Sequence, residues 1–261
     1  MKRYTFLALL ALGLTLWSCA DVQKDEQTTE VAMKTETTED FDYVVDQFAD
    51  LRILRYQIPG FEDLSLNEQK LVYYLTQAGL AGRDIMWAQN YRHNLEIREA
   101  LEGIYTRYQG DTNDPQWKEF ETYLKRVWFS NGIHHHYSND KIRPGFDADY
   151  LNQLLAETNT SLKGEAFEVI FNDADSKKVN LSKDADIVLE SAINFYGPDV
   201  TTADVEAYYG SFDVDPNEPI EIGLNTRLVK ENGQLKEEVY KSGGLYGEAI
   251  DQIVFWLEKA K

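Results

Sequence analysis

Basic charge is scarce in this sequence, and cysteine and histidine are scarcer still. Of its 261 residues, 26 are lysine or arginine against 45 aspartate or glutamate, giving a formal net charge of -19. Such a chain repels a phosphate backbone, which sets nucleic acid aside as a partner. The excess acid reads as a solvated surface, with attraction of cationic groups as the weaker alternative. A single cysteine, Cys19, means that no disulfide can form within the chain, so stability must come from side-chain packing. Nucleotide-binding glycine patterns are missing, both G-x-G-x-x-G and G-x-x-x-x-G-K-[ST]. So are the G-x-S-x-G nucleophile elbow and the H-E-x-x-H zinc motif. Acid pairs such as Glu62-Asp63, Asp213/Asp215 and Glu237-Glu238 are present. In so acidic a chain they read as solvated groups rather than catalytic pairs.

What is present begins with a targeting segment over 1–19. Lys2 and Arg3 precede the apolar stretch TFLALLALGLTLW. That stretch is shorter than the roughly 20 apolar residues of a spanning helix. Leu16, Trp17, Ser18 and Cys19 then resemble a bacterial lipoprotein signal, although Trp17 is bulky for the pattern. The expectation is lipidation at Cys19 and a lipid-anchored protein of the cell envelope, attached to a membrane through that anchor. An ordinary cleaved secretory signal is the alternative. Residues 20–40 are acidic and threonine-rich, with too little apolar surface to offset the entropy of ordering, and read as a flexible linker.

Residues 41–261 carry the patterning of an α+β domain, mostly helical with a small antiparallel β portion. ADLRILRYQIPGF alternates as a strand does and is stopped by Pro59-Gly60. Ser65 and Glu68 have capping-box spacing ahead of a helix with Leu71, Val72, Leu75, Ala78 and Gly79 on one face. Helices are expected after Gly82, over 93–110 with Gly110 as its stop, and from Asp114-Pro115 to Asn131-Gly132. Four more are expected at 146–157, 162–172, 184–195 and 201–210, with Asp147, Ser161, Ser182 and Thr202 as caps. Two alternating runs around Asn232-Gly233, within 220–240, predict a hairpin with a type I′ turn. The C-terminal run GLYGEAIDQIVFWLEKAK predicts an amphipathic helix with Leu245, Ala249, Ile250, Ile253, Val254 and Leu257 on its apolar face.

Three of the four histidines stand together in NGIHHHYSND, just past a predicted helix end. Consecutive side chains diverge by about 100° on a helix and point to opposite faces of a strand. His134, His135 and His136 therefore cannot easily converge on one ion. His134 and His136 share a face if the segment is extended, but zinc needs three or four ligands, and only His93 remains. The preferred reading is a polar turn whose imidazoles bond backbone groups or line a cleft. Asn131, Gly132, His134, His135, His136 and Tyr137 are the candidate cleft residues. No metal ligand, cofactor or catalytic residue is assigned within the chain.

Four blocks, LRILRYQIPGFEDLSLNEQKLVYYLTQAGLAGRDIMWAQN, YLKRVWFSNGIHHHYSNDKIRPGF, GLNTRLVKENG and GEAIDQIVFWLEKAK, together resemble the N-terminal portion of the dipeptidyl peptidase III family in its bacterial form. The resemblance runs over residues 41 to 261 and lies in block length and order, not in a short catalytic motif. It implies a zinc-dependent exopeptidase that removes dipeptides from peptide N-termini, built as two lobes across a cleft. Zinc would be held in the other lobe by an H-E-x-x-G-H helix and a later E-E-x-x-A-D glutamate. Neither motif occurs here. The resemblance thus makes this chain most of the non-zinc lobe, an N-terminal fragment inactive alone, with peptides as partners of the whole enzyme. It would place the 49–58 strand and the 220–240 hairpin in a small β-barrel. The alternative is a non-catalytic, peptide-binding surface lipoprotein module.

Overall fold

The computed structural model describes residues 41–172, 177–213 and 223–261. Cys19, the targeting segment 1–19 and the linker 20–40 lie outside the described residues. Residues Tyr43–Lys261 group as one unit, with the expected mostly helical α+β character.

Two strands open it, β1 (Val44–Phe48) and β2 (Leu51–Leu54), paired antiparallel with an irregularity between Val44 and Asp46. The strand expected over 49–58 is thus shorter, and its partner β1 was not foreseen. Helices follow as α1 (Leu66–Ala81), α2 (Arg83–Asn90), α3 (Asn94–Arg107) and α4 (Pro115–Ser130). Then come α5 (Ala148–Glu157), α6 (Glu165–Phe171), α7 (Thr202–Tyr209), the hairpin β3 (Thr226–Glu231) and β4 (Gln234–Val239), and α8 (Gly247–Ala260).

Several boundaries follow local chemistry that the sequence announces. Ser65 and Glu68 make the reciprocal capping box of α1, Asp114 accepts from the backbone N–H groups of Gln116 and Trp117 ahead of Pro115, and Asp147 caps α5. Asn232 (φ 55) and Gly233 (φ 79) both take the positive φ of a type I′ turn, so Glu231 pairs Gln234 across a two-residue loop. Elsewhere the boundaries differ. The cap of α7 is Thr201, boxed with Asp204, one residue before Thr202. Gly164, not Ser161, precedes α6, and α3 ends at Arg107, short of Gly110.

The helix expected over 184–195 does not form. That stretch is a series of turns organised by Asp186, whose carboxylate accepts from the N–H groups of Val188, Leu189 and Thr202 and from the Thr202 hydroxyl. Those local bonds satisfy donors that a helix ladder would otherwise use, so the aspartate wins over the apolar periodicity. Ser182 consequently caps nothing helical. The barrel implied by the family resemblance is also absent among the described residues. β1–β2 and β3–β4 are separate two-stranded sheets. β3 is met on its other side only by a single parallel bridge from Tyr196 to Leu228. Residues 214–222, part of the expected 220–240 hairpin, lie outside the described residues.

The core sits among α2–α6. Trp87, Ile97, Leu101, Ile104, Phe120, Leu124, Leu151 and Leu154 are fully buried there. Residues at 97, 101 and 104 of α3, and at 120, 124 and 127 of α4, recur at helical spacing, which is why those faces close on each other. α1 packs chiefly on α8, with Tyr74 and Trp256 stacked at 6.2 Å, yet Leu71, Val72 and Leu75 of its expected apolar face stay 41–48% exposed. No helix among the described residues is long and apolar enough to cross a membrane.

Candidate functional site

The histidine turn starts where α4 is stopped. Asn131 takes the left-handed conformation (φ 52), its N–H donates to the Trp128 carbonyl, and the Gly132 N–H donates back to the Val127 carbonyl at 3.1 Å. This is a Schellman closure. Gly132 has φ 147, and a Cβ there would come within 2.2 Å of the Asn94 side chain. Buried Asn94 is the latch. Its Nδ2 donates to the Trp87 carbonyl at 3.0 Å, and its Oδ1 accepts from the Ile133 N–H at 3.1 Å. Asn90 adds a bond from its Nδ2 to the Asn131 carbonyl at 3.1 Å. Asn131 and Gly132 therefore set the direction of the turn.

Beyond them the chain makes a pinched loop. The Ile142 N–H donates to the Ile133 carbonyl and the His135 N–H to the Asp140 carbonyl, each at 2.7 Å. The three imidazoles separate. His134 is 2% exposed and lies edge-on to Tyr91 at 5.2 Å, with His93 on the same tyrosine at 5.2 Å. His135 accepts at Nδ1 from the Tyr137 and Ser138 N–H groups, both at 3.1 Å, so its ring proton sits on Nε2. His136 stacks on His135 at 4.4 Å and meets Phe129 edge-on. Burial, reinforced by the neighbouring His135 and Lys178, holds the His136 pKa below the usual imidazole value. Tyr137 is 83% exposed at the tip. Of the candidate cleft residues, His135 bonds backbone N–H groups and lines a cleft, whereas Asn131, Gly132, His134, His136 and Tyr137 are not among that cleft's lining.

That cleft, of about 560 Å³, runs between α4, the β1–β2 turn at Ala49 and the histidine loop. Its floor is one stripe of α4: Glu119, Thr122, Tyr123 and Arg126. Arg126 pairs with Asp50. Tyr123 is 1% exposed, its hydroxyl has no hydrogen-bond partner among the described residues, and burial pushes its pKa up. On the wall, Lys141 donates to the carbonyls of Val169 and Asn172, a cation closing the end of α6. Lys177 pairs with Asp140 at 3.1 Å and holds its carboxyl below the usual carboxylate range, chiefly through that hydrogen bond. Desolvation likewise lowers the Lys178 pKa.

The donor set does not fit zinc. His134 is turned to Tyr91, the His135 Nδ1 is occupied by two N–H groups, and among the described residues no three His, Cys, Asp or Glu groups come together as a metal site. Glu119, Tyr123, Arg126 and Asn94 escaped the sequence reading. Their signals were a polar stripe at i, i+4 and i+7 of α4 and one asparagine on the otherwise apolar face of α3. No family model matches the chain, and no curated protein matches it.

Proposed function

We propose that this chain is the non-zinc lobe of a dipeptidyl peptidase III-like exopeptidase, a scaffold for one wall of a peptide cleft rather than a complete hydrolase. The carrying observation is the sequence resemblance over 41–261, by length and order of its blocks. Its α+β, mostly helical architecture accords with that reading. So do large apolar side chains exposed on α1 and α8, such as Leu66, Leu75, Phe255 and Leu257, which suit a body that packs against further protein. Zinc and the water it activates would belong to the other lobe, with H-E-x-x-G-H and the second glutamate. The lipid on Cys19 would hold the protein at the envelope membrane.

The chain with added zinc should release no naphthylamine from a dipeptidyl-naphthylamide. Appreciable turnover overturns the reading. A downstream reading frame encoding H-E-x-x-G-H favours the enzyme lobe. A true stop shared by related genomes favours the other class, a surface module that captures peptides without cleaving them.

A further inference from the structure

The floor of the α4 cleft has a charge order of its own. Glu119, Tyr123 and Arg126 stand at i, i+4 and i+7, one face of the helix, with Thr122 beside them. Seven residues of helix separate the acid from the base by about 10 Å. Glu119 reaches over Gly145, where a Cβ would lie 2.2 Å from its Oε2, and its carboxylate has no ion-pair partner among the described residues. At the other end Arg126 pairs, among the described residues, with Asp50, whose side chain is 72% exposed, a surface pair of the kind an incoming carboxylate displaces at little cost. His135 lines the same cleft and carries its ring proton on Nε2, because Nδ1 is taken by two backbone N–H groups. Tyr123, between them along the helix, also lines the cleft, and its buried hydroxyl has no hydrogen-bond partner among the described residues, which is costly unless something supplies an acceptor or a donor.

We infer that this cleft binds a short zwitterion lying along α4, its ammonium against Glu119 and its carboxylate against Arg126 and His135. A dianion meets Glu119 at one end, and a dication meets Arg126 at the other, so each singly signed ligand is opposed at one end. A molecule with both charges, set nearly a helix-stripe apart, is opposed at neither. The inference rests on the cleft alone and stands or falls independently of the peptidase reading.

The test uses the full chain and ε-aminocaproate, with caproate and hexylamine, singly and mixed, at equal ionic strength. Amide chemical shifts are followed along α4 and the 133–142 loop. Expected are saturable shifts with ε-aminocaproate and affinities about tenfold or more weaker for either half-molecule, the loss of one charged hydrogen bond. E119Q and R126Q should each weaken ε-aminocaproate by a similar factor, and E119Q, at an exposed position, reads the site even if R126Q disturbs the Asp50 contact. No saturable binding, equal binding of a half-molecule, or an unchanged E119Q affinity overturns the inference.

Discussion

The helices α2–α6 and the pair α1/α8 are made of similar residues but packed differently. In the first group, leucines, isoleucines and aromatic rings lose nearly all contact with water, and Leu101, Phe120, Leu124 and Leu154 are 0% exposed. In the second, Leu66, Leu71, Val72, Leu75, Val254 and Leu257 remain 41–65% exposed although the two helices lie against each other. An apolar stripe on a helix therefore states that a face wants cover, not that this chain supplies it. The histidine turn repeats the contrast on a smaller scale: His134 is locked into the core beside Tyr91, whereas Tyr137, three residues on, stands in solvent.

The largest effect that would sharpen this contrast is a cavity in the first group. Leu124→Ala should lower unfolding free energy by about 2–5 kcal/mol in urea titration, since the site is fully buried and cannot relax completely. Leu75→Ala, 48% exposed, should cost less than about 1 kcal/mol. Equal losses would erase the distinction between the two regions.

Asn94→Ala comes next. It removes the bonds to the Trp87 carbonyl and the Ile133 N–H and should cost about 1–3 kcal/mol, the penalty of leaving buried partners unsatisfied. Faster amide exchange should appear over 131–142 before it appears in α5. Uniform exchange across both would show that the latch does not govern the loop.

A smaller effect concerns pH. Because burial lowers the folded-state pKa of His136 below its ordinary 6.5, the unfolded chain binds more protons just below that value. The contribution to stability is complete above pH 6.5 and is lost as pH falls through the folded pKa. A melting temperature followed downward from neutral pH should decline, and H136Q should make that decline shallower. An identical profile for H136Q would remove His136 as the cause. The Asp204 carboxyl, brought down to about 2 by hydrogen bonds from Lys230 and then Thr201, works in a separate and more acidic window below 3.8. The smallest change is Ile58→Thr, at a position 73% exposed, which should alter stability by no more than about 0.5 kcal/mol.

Local chemistry made much of the fold legible. The Ser65–Glu68 box, the Asp114-Pro115 start, the Asp147 cap, the Asn131-Gly132 end of α4 and the Asn232-Gly233 turn all act within a few residues, and each stands where its sequence placed it. The 184–195 stretch misled because periodicity cannot register that Asp186 also reaches the distant Thr202. The candidate site was legible as a turn, but not as a cleft. Its floor comes from α4 and its latch from Asn94, brought to Ile133 across 39 positions of chain.

The amino-acid sequence by itself determined where helices begin, where they stop, and that three histidines follow the end of one of them, because caps, glycines and turn residues bond only to near neighbours. Only the tertiary structure decided which histidine is buried, which faces the cleft, and which apolar stripes find a partner. Those outcomes depend on side chains meeting from elements far apart in the chain, and no local pattern encodes the meeting.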